Sequence, residues 1–378
     1  WEWGRGPAGR MASFWKEIGG VKALADVGAQ VVSVRRAERL PSWLLPHLSS
    51  AEPSGLASTA ERGSAGWCHF HAPQGLAQLQ HASLAEAHPE ELHFNRRVLD
   101  LAPAAEGSRP RWRVGHAGPR GGRRASVYED FDLVIFAGTS KDADGLDGLR
   151  GALSPSQRSG LAKVGYDHRL CVALILGMEL ESKLEKLCEG QSEMAFGDTP
   201  GGCLSLLARQ EPKGRTSEAK ASVVVLHSTP QFAAQNLQAA KKANKPPSEL
   251  GRQALIGQLA VLLKMHTRDL DHAVLDSKTV HWRQCQVRRP FPSSSEACLV
   301  AESASNLLLA GDYLAGPETA GSFEGCLESA EAAARLACGY LFGATVQPPA
   351  PEAESVVRVR RWQRKLGSGE HPEQAAGG

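Results

Sequence analysis

One stretch, residues 307–334, most constrains what this chain can fold into. It begins with an apolar run at 307–310, which has the length and composition of a buried strand. Gly311 and Asp312 end this run, and a loop rich in glycine and proline follows. Ser322 then precedes an alanine-rich segment with apolar residues at helical spacing, so it is predicted to cap a helix N-terminus. The stretch therefore predicts the order strand, acidic turn, glycine loop and helix.

This order suits the binding of an elongated, partly anionic ligand. The carboxylate of Asp312 can accept hydrogen bonds from hydroxyl groups, and Gly321 and Gly325 allow the backbone to approach a ligand closely. The helix start offers N–H groups without intrahelical partners and the positive end of the helix dipole. On spacing alone, an ordinary strand–loop–helix unit of an α/β domain explains the stretch about equally well.

Composition limits the classes of protein to consider. A chain of 378 residues indicates two domains or one large one, and 42% hydrophobic with 22% charged residues is typical of a soluble globular protein. The net charge of +2 gives no strong field for nucleic acid or membrane, so neither is expected as a partner.

The eight cysteines are scattered without a CxxC pair. No metal site or disulfide scaffold is expected, and a reducing, cytoplasmic location is favoured. The chain begins at Trp1 rather than Met, so a missing segment could hold targeting information.

Five short strings occur in one order along the chain. They are AGRM at 8–11, ADVGAQ at 25–30, APQG at 72–75, VLHST at 225–229 and GDYLAGPETAGSFEGCLESA at 311–330. The last string resembles the C-terminal flavin motif of FAD-dependent amine-oxidase-like proteins. All five together resemble the renalase-like flavoproteins of that superfamily.

The resemblance implies that FAD is the cofactor and suggests which residues bind it. Glu2 would lie near the adenosine ribose, and Val98 would contact the adenine. Asp312 would contact the ribityl chain, and the helix start would face the pyrimidine edge of the isoalloxazine. The residues carried over are Glu2, Arg5, Gly9, Arg10, Met11, Gly28, Ala29, Gln30, Val98, Gly311, Asp312, Gly321, Ser322, Phe323 and Glu324.

The predicted fold class is α/β (α+β overall), a truncated Rossmann-like FAD-binding domain with an inserted antiparallel-sheet substrate domain. No GxGxxG opens a helix in these residues, so the first βα unit is predicted to be missing, and whether this chain retains FAD stays open. The FAD-binding domain is assigned to 1–35, 70–145 and 299–345, and the substrate domain to 36–69 and 146–298. Residues 346–378 are biased towards proline and charge and are predicted to be a disordered tail, with a basic nucleic-acid arm as the alternative.

Several segments carry specific secondary-structure predictions. Segments 91–101 and 131–137 are predicted strands, the second of them buried and parallel. Segments 170–176, 202–208, 222–227 and 281–287 are predicted to form an antiparallel sheet over the isoalloxazine. A short helical stretch is predicted at 42–48 and a long amphipathic helix at 249–266.

The resemblance implies an FAD oxidoreductase that oxidises the 2- and 6-dihydro isomers of NAD(P)H to NAD(P)⁺. O₂ would be the electron acceptor and H₂O₂ the product. His227, Trp282 and Gln74 are the candidate catalytic-pocket residues, although each could equally be packed without touching substrate. A flavin-dependent amine oxidase is one alternative, but with four Tyr an aromatic cage is hard to assign. The other is a non-enzymatic remnant or binding module with an incomplete FAD site.

Overall fold

The computed structural model describes residues 2, 9–51, 66–104, 110–117, 127–197, 201–213, 220–292 and 296–343. Arg5 and the predicted tail at 346–378 lie outside these residues. Helices and strands are mixed along the chain, which confirms the predicted class, α/β (α+β overall). None of the described helices is long and apolar enough to cross a membrane.

The strands of the described residues pair into several small sheets and one larger one. They are β1 (Ser13–Ile18), β2 (Val21–Asp26), β3 (Val32–Val34), β4 (Ser49–Ser50), β5 (Cys68–His71), β6 (Val98–Pro103), β7 (Trp112–His116), β8 (Val127–Phe131), β9 (Val134–Phe136), β10 (Gly165–Tyr166), β11 (Arg169–Gly177), β12 (Glu193–Ala195), β13 (Leu204–Arg209), β14 (Ala221–Ser228), β15 (Val274–Trp282), β16 (Val287–Arg289), β17 (Cys298–Ala301) and β18 (Ala304–Ala310).

Helices connect the strands and cover the sheets. The α-helices are α1 (Ala77–Ala87), α2 (Ser140–Asp144), α3 (Asp147–Ala152), α4 (Pro155–Lys163), α5 (Glu181–Leu187), α6 (Pro230–Ala243), α7 (Pro247–Leu262), α8 (Thr267–Ala273) and α9 (Phe323–Phe342). Short 3₁₀ helices lie at Gly9–Met11, Ala37–Arg39, Ser42–His47, Met178–Leu180, Glu211–Lys213 and Asp312–Leu314. The predicted helical stretch at 42–48 is one of these 3₁₀ helices.

The largest sheet is antiparallel and has the strand order β12-β13-β14-β11-β15. Both faces of β11 are buried, which explains its nearly continuous apolar sequence. Leu170, Val172 and Leu174 pack on one face with Leu255 and Leu259 of α7. Cys171 and Ala173 pack on the other face with the β1–β2 hairpin. The predicted strands at 170–176, 202–208 and 222–227 are confirmed.

The predicted strand at 281–287 is wrong in its middle, because β15 ends at Trp282 and β16 starts at Val287. Asp167 explains the break. Its carbonyl accepts the Cys285 N–H and its carboxylate accepts the Gln286 N–H, both at 3.0 Å. These hydrogen bonds turn the backbone at 285 and 286 away from the extended conformation that strand pairing requires.

A second sheet contains the strand that opens the 307–334 stretch. Strand β18 pairs in parallel with β9 and antiparallel with β17. The predicted parallel pairing is therefore confirmed at β9, whereas Phe131 ends β8 in a different sheet. The predicted burial of this strand is wrong: β9 is at the edge of its sheet in the described residues, and Ile135 is 43% exposed. The predicted strand at 91–101 begins only at Val98, because Asn95 adopts a positive φ of 56° that interrupts extended backbone.

Helix α9 starts where the sequence predicts. The Ser322 side chain accepts a hydrogen bond from the Gly325 N–H at 3.1 Å, so the predicted cap is confirmed. The helix packs on β17 and β18 through Ala332 and Ala333. The order strand, acidic turn, loop and helix is thus present as predicted.

The predicted division into two domains stays a prediction. Helices α3 and α4 belong to one hydrophobic cluster with β6, β7 and β18, which includes Leu149, Leu161, Leu101, Trp112 and Leu307. The predicted boundary at residue 146 therefore lies inside a shared core.

Candidate functional site

Arg10 connects three distant segments of the chain. Its Nη2 donates to Asp312 Oδ2 at 2.6 Å, and its Nη1 donates to the Cys285 carbonyl at 2.8 Å. Its own carbonyl accepts the N–H of Ala29 at 2.9 Å. A Cβ added to Gly28 would lie 1.9 Å from that carbonyl oxygen, so glycine is required there for the two backbones to approach. The 3₁₀ helix Gly9–Met11, the 28–30 segment and Asp312 therefore meet at one place.

The Arg10–Asp312 pair is a buried carboxylate facing a partly accessible cation. The Asp312 side chain is 5% exposed and that of Arg10 is 35% exposed. Burial alone would lower the pKa of Arg10, but the Asp312 charge, with smaller contributions from Cys326 and Cys285, raises it above its ordinary value. Arg10 therefore stays cationic and can face an anion on its accessible side.

One exposed side chain lies beside this pair. Cys326, in the first turn of α9, is exposed. Burial among protein atoms, followed by the negative charge of Asp312, nevertheless raises the pKa of its thiol to about 12. The Cys326 side chain is therefore accessible close to the Arg10–Asp312 pair. Ala29, whose amide is bound to Arg10, is exposed as well.

The start of α9 supplies N–H groups to the same region. Ser322 donates to the Thr319 carbonyl at 2.6 Å and caps Gly325, so its side chain is fixed. The amides of Phe323 and Glu324 have no acceptor within the helix, as in any first turn. Phe323 packs with Met11 against one hydrophobic cluster, which fixes the helix start beside the Gly9–Met11 helix.

The loop ahead of α9 is held by two glycines that sequence analysis assigns to the flavin. The Gly311 N–H donates to Ser329 Oγ at 2.7 Å, which joins the end of β18 to α9. Gly321 has a φ of +78°, a conformation that favours glycine. Both therefore shape the loop.

The Glu324 side chain has a different role from its backbone. The buried carboxylate accepts the Arg35 backbone N–H at 2.5 Å and Arg35 Nε at 3.1 Å. Arg35 also pairs with Glu318 and Glu328. This clamp holds the helix start against the end of β3, so only the Glu324 amide is left for a ligand.

The part of the large sheet that carries His227 in β14 and Trp282 in β15 lies next to the 28–30 segment. We call this part of the sheet the wall. Trp282 Nε1 donates to the Val27 carbonyl at 2.7 Å. Gln30 Nε2 lies 3.3 Å from His227 Nε2. Two of the three candidate pocket residues, His227 and Trp282, are thus brought to Val27–Gln30, the segment that also contacts Arg10.

The third candidate, Gln74, is exposed and no contact in the described structure joins its side chain to His227 or Trp282. Its loop is nevertheless attached to the site. Asp26 Oδ1 accepts the Leu76 N–H at 2.9 Å and Ser13 Oγ at 2.7 Å. Gln74 stays a prediction.

Glu2 and Val98, assigned to the adenosine end, have contacts within the described residues. Glu2 is exposed, and its backbone bonds to the His93 carbonyl and the Arg96 N–H. Val98 starts β6 and packs on the cluster that contains Tyr313, the neighbour of Asp312. Arg5 lies outside the described residues. These three roles also stay predictions.

Sequence analysis missed Asp26, Cys285, Gln210 and Lys213. Asp26 lies inside the ADVGAQ string, so its position was a usable signal. Lys213 lies in a polar segment that reads as a connecting loop, and no sequence signal marks it. Its ammonium reaches Gln30 only because the chain after β13 turns back towards β2.

The donors and acceptors at this place fit a flavin. Asp312 suits the hydroxyls of a ribityl chain, Arg10 suits a diphosphate, and the α9 amides suit an electron-rich ring edge. In the described structure, Ser140 Oγ and Tyr313 OH are buried without a hydrogen-bond partner. Tyr313 directly follows Asp312 in the chain, and the Ser140 backbone N–H donates to Tyr166 OH at 3.1 Å. After burial, the charge of Asp312 contributes to raising the pKa values of Tyr166 and Tyr313. Such orphaned hydroxyls can serve a polar ligand.

A family model and solved structures match this chain. The model of the flavin containing amine oxidoreductase family matches residues 42–338. A solved structure from Exiguobacterium sp. 255-15, described as a candidate protoporphyrinogen oxidase, matches with 13% identity and a TM-score of 0.48. The match covers 69% of this chain and 50% of that one, so this chain spans about half of its length. A comparison with curated proteins gave no match.

The family match implies a flavin cofactor, typically FAD, as the sequence predicts. Because the family model covers well over half of the 378 residues, this chain belongs to the flavin containing amine oxidoreductase family.

Proposed function

We propose that the whole protein is an FAD-dependent oxidoreductase that removes a hydride from a small organic substrate. One observation carries this proposal. The Arg10–Asp312 pair, the start of α9 and the 28–30 segment meet beside a sheet face that presents His227 and Trp282. On this proposal, a cofactor-binding half and a substrate-binding half lie side by side.

Each residue of the cofactor-binding half has a task that its environment supports. Asp312 accepts hydrogen bonds from ribityl hydroxyls, and its bond to Arg10 keeps its carboxylate oriented. Arg10 offers its accessible side to the diphosphate. The amides of Phe323 and Glu324 stabilise negative charge at the pyrimidine edge. The division into an FAD-binding domain and a substrate domain, as assigned from the sequence, is part of the same proposal.

For the substrate we propose the 2- and 6-dihydro isomers of NAD(P)H, as in renalase-like proteins. The five ordered strings support this class. The chemistry of the substrate adds a second reason. A dihydronicotinamide ring loses two electrons and one proton together as a hydride and leaves as a pyridinium cation, so no separate base is required. A bound flavin would supply the hydride acceptor, and O₂ would take the two electrons with the proton of the hydride and one proton from solvent to give H₂O₂.

Geometry explains a preference among isomers. Hydride transfer requires the reacting carbon to lie close to its acceptor. A pocket that positions carbon 2 or 6 at the acceptor leaves carbon 4 misplaced. Ordinary 4-dihydro NADH is therefore expected to react slowly.

Amine oxidation is the second candidate, and family membership favours it. An amine substrate would pack against aromatic side chains, and Trp282 offers such a ring at the wall. Its indole N–H is already bound to Val27, so its orientation is fixed for either substrate.

One experiment separates these functions. The full-length protein is purified, its flavin is measured by absorbance, and it is mixed anaerobically with each dihydro isomer, with 4-dihydro NADH and with simple amines. Bleaching of the flavin by the 2- or 6-dihydro isomers at least tenfold faster than by 4-dihydro NADH is the expected result. Bleaching by amines alone would replace our substrate proposal with amine oxidation. If none of these compounds bleaches the flavin, the result would favour a flavin-binding module without enzymatic activity.

A further inference from the structure

Tyr166 in β10 lies between the segment that binds Arg10 and the loop ahead of α9. It is paired with Val287 of β16. Two positions before Val287, the Cys285 carbonyl accepts Arg10 Nη1 at 2.8 Å. Val287 also lies against Gly321, since its carbonyl oxygen would be 3.3 Å from a Cβ added at that glycine. The proposed function assigns no task to Tyr166.

The Tyr166 hydroxyl is held at the carboxyl ends of two parallel strands. Its oxygen accepts the Ser140 backbone N–H at 3.1 Å. Ser140 follows β9 and Asp312 follows β18, and Phe136 lies opposite Leu309 in this parallel pair. The two strands therefore bring Ser140 and Asp312 to the same edge of the sheet. This is the edge at which open α/β sheets bind their ligands.

The hydroxyl keeps its proton. Burial has the largest effect and raises the pKa of Tyr166 above its ordinary value; hydrogen bonding to Ser140 and the Arg10 charge lower it, and the Asp312 charge raises it. An ordinary tyrosine already has a pKa of about 10, so this phenol is protonated at neutral pH.

This proton has no acceptor among the residues that the structure describes. The backbone of Ser140 donates to the phenol oxygen and so occupies one of its lone pairs. The Ser140 side chain lies beside the same oxygen but forms no hydrogen bond of normal geometry. The Tyr166 side chain is only partly buried, so its O–H group can be reached by a ligand.

We propose that Tyr166 is a cofactor-binding residue whose hydroxyl donates a hydrogen bond to an oxygen of the phosphate attached to the ribityl chain. A hydroxyl proton and the Arg10 cation together require an acceptor, and an anionic phosphate oxygen is the strongest acceptor of a flavin nucleotide. This inference deepens the proposed function and rests on it for the position of the ribityl chain at Asp312.

The test compares two flavins that differ only in this phosphate. The full-length protein and its Tyr166→Phe variant are freed of flavin and titrated with FMN and with riboflavin, and binding is followed by flavin fluorescence. The variant should bind FMN roughly ten- to a hundredfold more weakly, because a hydrogen bond to a charged oxygen is lost. Riboflavin has no phosphate, so its affinity should change by less than about twofold. A merely structural role, such as accepting the Ser140 N–H, would weaken both flavins equally.

Tyr128→Phe is the matched control, because it makes the same chemical change at a tyrosine in β8 that is 52% exposed. Its affinities for FMN and riboflavin should equal those of the unaltered protein.

A second measurement keeps the proposal testable if Tyr166→Phe does not fold. The chain contains four tyrosines, so protein labelled with ¹³Cζ-tyrosine gives four NMR signals. Replacing each of the other three tyrosines in turn assigns the Tyr166 signal by elimination. This signal should differ between the FMN-bound and riboflavin-bound protein, since the flavin ring is common to both and the phosphate is not.

Equal losses of FMN and riboflavin affinity, unchanged FMN affinity in the folded variant, or a Tyr166 signal that is the same with both flavins would overturn the proposal. An unaltered protein that binds neither flavin would overturn this inference together with the proposed function. Flavin that is bound as expected but bleached by none of the substrates would overturn the proposed function alone.

Discussion

Breaking the Arg10–Asp312 pair should lower both the free energy of unfolding and the affinity for flavin, and the two losses can be measured separately. Asp312→Ala removes a 2.6 Å bond between a side chain that is 5% exposed and one that is 35% exposed. Breaking a fully buried pair costs roughly 3–5 kcal/mol, and an exposed pair contributes below about 1 kcal/mol. Arg10 is partly accessible and keeps its bond to the Cys285 carbonyl, so we expect a loss of about 2 kcal/mol.

The loss is measured by urea unfolding of the flavin-free protein, with a double-mutant cycle of Asp312→Ala and Arg10→Met. The two changes should couple by about 1–2 kcal/mol, because each removes the partner of the other. Flavin affinity, measured by dilution and gel filtration, should fall roughly ten- to a hundredfold, since the proposed hydrogen bonds from Asp312 to the ribityl chain would be lost. Glu249→Ala is the control, because it breaks a surface pair with Lys245 and should cost no more than about 0.5 kcal/mol.

Two results would refute this reasoning. A coupling energy below about 0.5 kcal/mol would show that the close contact contributes little. A normal loss of stability with unchanged flavin retention would restrict Asp312 to a structural role.

Three further changes test other parts of the site. Arg35→Met should lower the unfolding free energy by about 1–2 kcal/mol, because the buried Glu324 carboxylate loses a charged donor; urea unfolding measures it. Gly28→Ala should displace the Gly9–Met11 helix and reduce bound flavin in purified protein, because its Cβ would lie 1.9 Å from the Arg10 carbonyl oxygen. Cys326, with a pKa of about 12, should react with iodoacetamide about tenfold faster for each pH unit between 8 and 10, because only the thiolate reacts; mass spectrometry should also show protection by FAD.

Matched controls exist for these tests. Gly257→Ala places a Cβ in open space inside α7 and should stabilise the protein by up to about 1 kcal/mol. Lys245→Met should leave stability within about 0.5 kcal/mol of the original value. A Gly28→Ala protein with full flavin, an Arg35→Met protein of normal stability or rapid Cys326 labelling at pH 8 would each contradict the corresponding prediction.

Local patterns were sufficient for much of the fold. The cap at Ser322, the buried strand before it and the apolar strands of the large sheet all follow from hydrophobic periodicity and capping chemistry, which act over a few residues. The same rules failed at 91–97 and 283–286. There, the positive φ of Asn95 and the hydrogen bonds of Asp167 override an extended pattern.

The sequence by itself determined the fold class, the order of the flavin-motif elements and, through resemblance, the family. Only the tertiary structure decided which side chains meet. Arg10 and Asp312 are 302 positions apart, and Lys213 is 183 positions from Gln30. Their contacts depend on how the β1–β2 hairpin packs against the large sheet and on where α9 starts. Such pairings arise from the burial of whole surfaces, and no short-range pattern encodes them.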